Sequence, residues 1–230
     1  MMLLPVSYAD QTDIFNPATF TWPVHVIGVG GIGSALVLPL IKLGLSSKLH
    51  LWDPDRVEPH NIPAQLIYRP TDIGKLKVEA AADTLAGFSE GKCEIVCHSE
   101  YVGPSTPLDG VVISGVDSMA ARYDIWEGVR YNVEVPLYMD GRIGGEQMQL
   151  FTLNPSNYEA VVFYETEWLF PDEEGSDLPC AARTVIHPPT VLAGHIIAQL
   201  TRFARGMTTV SYLDCHVRDS QVIAHDTTPA

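Results

Sequence analysis

Gly28-Val-Gly30-Gly31-Ile-Gly33-Ser34 is the segment with the clearest chemical potential in this chain. Glycines at those spacings let a strand turn tightly into a helix. They also bring backbone N–H groups close to a phosphate, at a helix N-terminus whose dipole favours anions. Asp53 lies about twenty residues on, at the end of the next strand-like run, where a carboxylate can accept ribose hydroxyls. A glycine string alone also fits a tight turn in a structural domain. With its flanks and Asp53 it reads as a nucleotide site. It does not choose between a dinucleotide and ATP.

The elements that must hold this loop follow from periodicity. Val24 to Gly28 suits a buried strand, and Ser34 to Leu43 a helix that stops at Gly44. Lys48 to Asp53 is a second strand. Asp72 to Ala86 reads as a helix, with Val78, Ala81, Ala82 and Leu85 on one face and Asp72 as its cap. Cys93 to His98, Gly110 to Ser114 and Val135 to Met139 read as strands, and Met119 to Tyr131 as a helix. This alternation predicts an α/β domain with a Rossmann-like, mostly parallel sheet flanked by helices. The C-terminal part is expected to add antiparallel strands. Glu146 to Leu153 and Glu159 to Glu165 read as a pair across Asn154-Pro155. Thr190 to Arg205 reads as a helix, and two short strands follow. Residues 1–22 are expected to form an N-terminal arm and residues 165–182 a mobile acidic loop, all within a single domain, 1–230.

Composition narrows the function. The chain has 230 residues, 14 Lys and Arg against 28 Asp and Glu, and a net charge of −14. That balance argues against nucleic acid and against anionic membranes as partners. The apolar run Val26 to Ile41 is broken by glycines and Pro39, too short for a bilayer span. Met1-Met-Leu-Leu-Pro5 has no basic flank of a secretory leader. A soluble, cytoplasmic protein is the expectation. Four cysteines do not make a disulfide scaffold.

Several further segments, in order, resemble the ThiF/MoeB superfamily, the ubiquitin-activating-enzyme-like adenylyltransferases. The resemblance runs from about Val24 to Gly206. Asp53-Pro-Asp55-Arg-Val-Glu-Pro-His-Asn61-Ile-Pro-Ala64-Gln65 is similar to that family's D-x-D-x-V-x-x-x-N-L-x-R-Q. Gly74-Lys-Leu-Lys77 is similar to its G-x-x-K. Val116-Asp117 with Arg122 is similar to its T-D-N-x-x-x-R, and Asp140-Gly-Arg142-Ile-Gly-Gly-Glu-Gln147 to its R-x-x-G-Q. The resemblance implies an ATP- and magnesium-dependent enzyme that adenylates the C-terminal carboxylate of a small ubiquitin-like or sulfur-carrier protein ending in Gly-Gly. It implies packing as a homodimer. Gly28, Gly30, Gly31, Gly33 and Ser34 would cradle phosphate, and Asp53 would hold ribose. Asn61 and Gln65 would line the phosphate side. Lys77 would reach the phosphates and Asp117 would hold magnesium. Asp55 would assist the metal or shape the turn. Arg122 would touch nucleotide or steady its loop.

Two departures qualify that reading. Ala64 stands where the family has an arginine, with Arg56, Arg69 and Lys75 as candidate substitutes. No Lys or Arg precedes Lys42, so the arm offers no basic residue to a partner subunit. A non-catalytic partner subunit is therefore an alternative, as is adenylation of a small molecule or peptide. Cys180, in Leu-Pro-Cys-Ala-Ala-Arg183-Thr-Val-Ile-His187-Pro188, matches the position of a cysteine that some relatives use for thioester chemistry. It is a candidate third catalytic residue beside Asp117 and Lys77 or a bystander thiol. Cys93 and Cys97 lack the paired spacing of a zinc site, and no zinc site is expected. His25, His60, His98 and His195 read as structural.

Overall fold

The computed structural model describes residues 6–45, 47–89, 93–169 and 185–225. One eight-stranded sheet organises them, in the order β3-β2-β1-β4-β5-β6-β7-β8. These are β1 Val24–Ile27, β2 Lys48–Trp52, β3 Glu94–His98, β4 Val111–Ser114, β5 Leu137–Gly144, β6 Gln147–Leu153, β7 Tyr212–His216 and β8 Gln221–His225. The first five run parallel, and the last three continue antiparallel from β5. The expected fold class is what forms, with the antiparallel strands in the C-terminal part. β1 and β4 are buried at every position, so they lack the apolar–polar alternation of a half-exposed strand, with His25 and Ser114 as their buried polar members.

The two faces of the sheet carry different cores. Helices α1 (Gly31–Lys42), α2 (Lys77–Ser89) and α5 (His187–Ala204) cover one face with an aliphatic layer that includes Leu36, Leu40, Leu85, Ile196 and Leu200. Helices α3 (Met119–Val129) and α4 (Tyr158–Glu167) cover the other with an aromatic one. There Trp126 lies 4.7 Å from Tyr164, and Phe151 stacks on Tyr212 at 4.9 Å.

Three expectations need correction. Residues 159–165 are helical and belong to α4; β6 pairs instead with β5, across the turn at Gly145. Asn157 decides this locally, because its side chain accepts the Glu159 and Ala160 N–H groups and caps the helix. Val161 and Tyr164 then point together into the aromatic core. Second, α2 starts at Lys77 rather than at Asp72. Gly74, at φ +90°, breaks the run, and Asp72 closes a short 3₁₀ turn, Pro70–Asp72. Its buried carboxylate holds Arg69 and Lys75. Burial works to raise the Asp72 pKa, but those hydrogen bonds prevail and hold it at about 2. Third, the last parallel strand runs from Leu137 to Gly144, beyond the expected end at Met139.

The described part of the N-terminal arm packs on its own domain. Phe15 and Phe20 are buried in the aliphatic core, and Gln11 donates its side-chain amide to the Leu43 carbonyl at 2.6 Å. No helix among the described residues is long and apolar enough to cross a membrane.

Candidate functional site

The glycine loop leaves β1 at its carboxyl end and enters α1, whose first turn has no side-chain cap. Its N–H groups are therefore free to meet an anion. Gly28 has φ +86°, and a Cβ there would stand 3.0 Å from the Gly115 carbonyl oxygen. A Cβ on Gly33 would lie 2.1 Å from the Gly28 carbonyl oxygen, so only glycine permits this closeness of strand end and helix. Tyr68 holds the loop from behind, donating its hydroxyl to the Val29 carbonyl at 2.7 Å. Ser34 is a tie as well. Its Oγ donates to the Gly31 carbonyl and accepts the Leu66 N–H, which fastens the helix start to the segment carrying Gln65.

Asp53 sits where β2 ends, 5% exposed. One of its oxygens accepts the Val29 N–H at 2.8 Å and the other the Asp55 N–H at 2.9 Å. Burial pushes its pKa up, and the nearby Lys77 ammonium offsets part of that rise. Lys77, at the first position of α2, lies 2.8 Å from Asp55 and 3.7 Å from Asp53. Asp53, Asp55 and Lys77 thus come together beside the glycine loop; spacing points to Asp53, the family resemblance to Asp55 and Lys77.

The strand ends behind Asp53 are braced by rings. Trp52 donates its Nε1–H to His25 Nδ1 at 3.1 Å, so the hydrogen bond between His25 and Asp109 is made by a protonated Nε2. Trp52 also stacks on His98 at 3.6 Å, and His98 hydrogen-bonds His50 at 3.0 Å. Burial, reinforced by His50, lowers the His25 pKa to about 4 despite Asp109. His25 and His98 are structural, as expected.

Asn61, expected on the phosphate side, is buried and its Oδ1 accepts the Glu58 N–H, which caps a short turn. Gln65 extends toward Gly30, with its Nε2 3.9 Å from where a Cβ would stand, and its Oε1 is buried without a partner. Asp117 is exposed on the loop between β4 and α3 and makes no ion pair among the described residues. Ser118, not Asp117, caps α3. Arg122 is only 5% exposed and turns inward. It donates to the Val116 and Gly141 carbonyls and to Asp140, so it steadies the Asp117 loop.

Sequence reasoning missed three participants. Ser114, at the end of β4, keeps a fully buried Oγ without a partner. Tyr68 anchors the glycine loop from an unremarkable aromatic position. Asp140 is shared by Arg122, Arg142 and the Tyr164 hydroxyl, a junction that only the fold brings together. Ser114, at the end of β4, and Asp140, within the motif-like run Asp140 to Gln147, were the only signals available.

The substitutes for the missing arginine are all engaged. Arg56 donates to the Gly74 carbonyl at 2.7 Å, and Arg69 and Lys75 bind Asp72. Cys180, Arg183 and most of the expected acidic loop lie outside the described residues. His187 faces Glu146 at 3.4 Å. Among the described residues no group of three or more His, Cys, Asp or Glu is arranged to hold a metal ion.

The arrangement suits a nucleoside triphosphate. It offers uncapped helix N–H groups, a glycine cradle, a buried carboxylate beside a lysine, and orphaned polar atoms on Gln65 and Ser114. Asp117 suits magnesium, which binds through one or two carboxylates and takes its other ligands from phosphate and water.

Comparison with known proteins agrees. A family model described as "ThiF family" matches residues 14–218. The maize protein "Adenylyltransferase and sulfurtransferase MOCS3-2" is 31% identical over 107 residues, which is 44% of this chain and 22% of that protein. Human "Ubiquitin-like modifier-activating enzyme 1" is 28% identical over 123 residues, 51% of this chain and 11% of that protein. The chain thus matches only a minor part of the length of these curated relatives. Among solved structures, E. coli MccB with ATP superposes with a TM-score of 0.72 at 15% identity, covering 93% of this chain and 67% of that one. PaaA gives 0.71 at 18% identity, covering 93% and 66%. Both likenesses concern the fold.

Proposed function

The chain belongs to the ThiF family, and from that premise we propose that it is an ATP-dependent adenylyltransferase. Its acceptor is the C-terminal carboxylate of a small ubiquitin-like or sulfur-carrier protein ending in Gly-Gly. The observation that carries this reading is the placement of Lys77 against Asp53 and Asp55 beside an uncapped glycine cradle. A triphosphate carries more negative charge than a dinucleotide's pyrophosphate, which favours ATP where a lysine stands beside the ribose carboxylate.

In the reaction, the acceptor carboxylate attacks the α-phosphorus, the bond to the β-phosphate oxygen breaks, and pyrophosphate leaves with the electron pair. An anion approaching a polyanion needs cationic help where charge builds. Lys77 supplies it by exchanging Asp55 for a phosphate oxygen. Asp53 is already oriented by two backbone N–H groups and needs no reorganisation to take the ribose. Asn61 and Gln65 lie on the phosphate side, with Gln65 Oε1 still lacking a partner. Arg122 holds the Asp117 loop still and touches no substrate. Asp117 would hold magnesium, which when bound neutralises part of the triphosphate charge.

We assign Cys180 to acyl transfer after the adenylate, not to adenylation. The reading includes a homodimer, supported by exposed Val185, Ile186 and Val191 at the start of α5, and a cytoplasmic location.

The test is ATP–pyrophosphate exchange, with and without Gly-Gly-ending carrier proteins. Carrier-dependent exchange supports the reading. Exchange stimulated by short peptides alone moves the acceptor to a peptide. Tight ATP binding with no exchange under any acceptor leaves a non-catalytic partner subunit, the role that Ala64 and the engaged Arg56, Arg69 and Lys75 would favour.

A further inference from the structure

Asp53 and Asp55 are close neighbours in sequence but are held in different ways. Backbone takes both oxygens of Asp53: Oδ2 accepts the Val29 N–H and Oδ1 the Asp55 N–H. The Asp55 side chain is 60% exposed, and among the described residues its carboxylate has one hydrogen-bonding partner, the Lys77 ammonium at 2.8 Å. Lys77 is the reverse, a long side chain only 9% exposed. Its Nζ also lies 3.7 Å from Asp53 Oδ2, the same oxygen that holds Val29 of the glycine loop. The ammonium therefore already stands at the cradle, and the carboxylate in contact with it belongs to Asp55.

Backbone sets this geometry without help from the carboxylate. The Lys77 N–H donates to the Asp55 carbonyl at 2.9 Å, and the Val57 N–H to the Lys75 carbonyl at 2.9 Å. The Gly74 N–H closes this small ladder on the Val57 carbonyl at 2.8 Å. The ladder places Asp55 against the start of α2 and leaves its carboxylate only the bond to Lys77. The charge of that carboxylate counts because cations are scarce here. Arg56 is spent on the Gly74 carbonyl, and Arg69 and Lys75 on Asp72. Two carboxylates against one ammonium leave the cradle's side chains net negative. An incoming polyphosphate must take Lys77 from Asp55 and then lie beside the carboxylate it has bared. The first cost is common to every phosphate ligand. The second grows with the ligand's own charge.

We propose that Asp55 is a specificity-determining residue, which makes the cradle discriminate against a polyphosphate that carries no divalent cation. A bound divalent cation cancels about half the charge of a triphosphate, so the repulsion from Asp55 falls with it. Asp55 thereby sets how strongly the site prefers the metal complex over the free nucleotide. The inference rests on the reading of Lys77 as a phosphate ligand.

Calorimetric titration of the full chain and of Asp55→Asn tests this. The ligands are inorganic tripolyphosphate and ATP, each in excess EDTA and each with saturating magnesium. Asp55→Asn keeps the side-chain size and the backbone ladder. It should tighten both ligands about tenfold in EDTA and about threefold with magnesium. The gain should shrink as salt rises toward 1 M, where the screening length is about 3 Å. A merely structural change would follow neither ligand charge nor salt. Glu94→Gln removes a charge at the opposite end of the parallel strands and should move these affinities by less than about twofold. Three results overturn the proposal: no gain for the uncomplexed ligands, an equal gain with and without magnesium, or a loss of affinity for the magnesium complex. The last would make Asp55 a metal ligand. Tripolyphosphate has no base, ribose or acceptor, so its binding reports on the cradle and Lys77 alone. Absent pyrophosphate exchange would remove the adenylyltransferase reading and leave this inference standing; an unchanged tripolyphosphate affinity in Asp55→Asn would do the reverse.

Discussion

The two ends of the sheet are built in opposite ways. At the carboxyl ends of the parallel strands the site is built from backbone and charge: glycines, a helix start, Asp53, Lys77 and Asp117. At the other end, around the start of β5, a cavity of about 290 Å³ is lined by rings, with no ionic side chain among the described residues of its wall. The difference follows from topology. Parallel strands deliver their loops and the N-termini of their helices to one end, where unpaired N–H groups and dipoles gather. The opposite end, around β5 to β7, receives the end of α5 and the start of α4, whose first N–H groups are already taken by Asn157, and packing residues fill the rest. One structure joins the two. Arg142 donates to the Trp168 carbonyl and to Asp140, and Arg122 links Asp140 to the Val116 carbonyl beside Asp117.

Cutting that link should produce the largest effect and strike both ends. Arg122→Ala leaves a fully buried Asp140 with one cation fewer and frees the Asp117 loop. Stability should fall by about 3 kcal/mol, the lower end for a broken buried pair because Arg142 and Tyr164 still hold the carboxylate. Denaturant midpoints measure the loss, and nucleotide affinity should fall with it. A stability change under 1 kcal/mol would mean the two ends are energetically independent.

Lys77→Ala should separate them. Exchange activity should drop about 10²- to 10³-fold, as expected when one preorganised charge stabiliser is removed. Stability should change little, because Lys77 ties only to Asp53 and Asp55 at the site. Loss of both would place Lys77 in the structural framework.

Acid should act at the first end through His25, which supports the strand end before Asp53. Its folded pKa near 4 lies below the ordinary histidine value of 6.5. The folded state thus binds the proton less readily than the unfolded chain. Stability is intact above about pH 6.5 and is lost as pH falls toward 4, by roughly 3 kcal/mol from this group alone. His50 and His98, also lowered by burial, act in the same direction. Melting curves of His25→Gln should show a shallower slope between pH 6.5 and 4; an unchanged slope would assign the acid sensitivity elsewhere.

The smallest effect belongs to the second end, at Thr152 near the end of β6. Thr152→Val removes a buried unpaired hydroxyl, so it should leave stability unchanged or raise it by about 1 kcal/mol. A loss above that would show that the hydroxyl is paired in solution.

Legibility followed the range of the forces involved. The glycine loop, Asp53 and the alternation through β5 could be read because adjacent residues impose them. Residues 159–165 could not, since Val161, Val162, Phe163 and Tyr164 suit a strand as well as a helix, and Asn157 with the aromatic core settles the choice. Arg122 matched a motif, yet its role was open until Asp140, 18 positions away in sequence, closed the pair.

By itself, then, the sequence determined the glycine loop between β1 and α1, the handover from parallel to antiparallel strands, and the net acidic character of the chain. Local backbone preference and hydrophobic period suffice for these. Only the tertiary structure decided the inward turn of Arg122, the capture of Arg69 and Lys75 by Asp72, and the aromatic cavity. Each joins side chains whose meeting depends on packing, and packing is a property of the assembled layers rather than of any one segment.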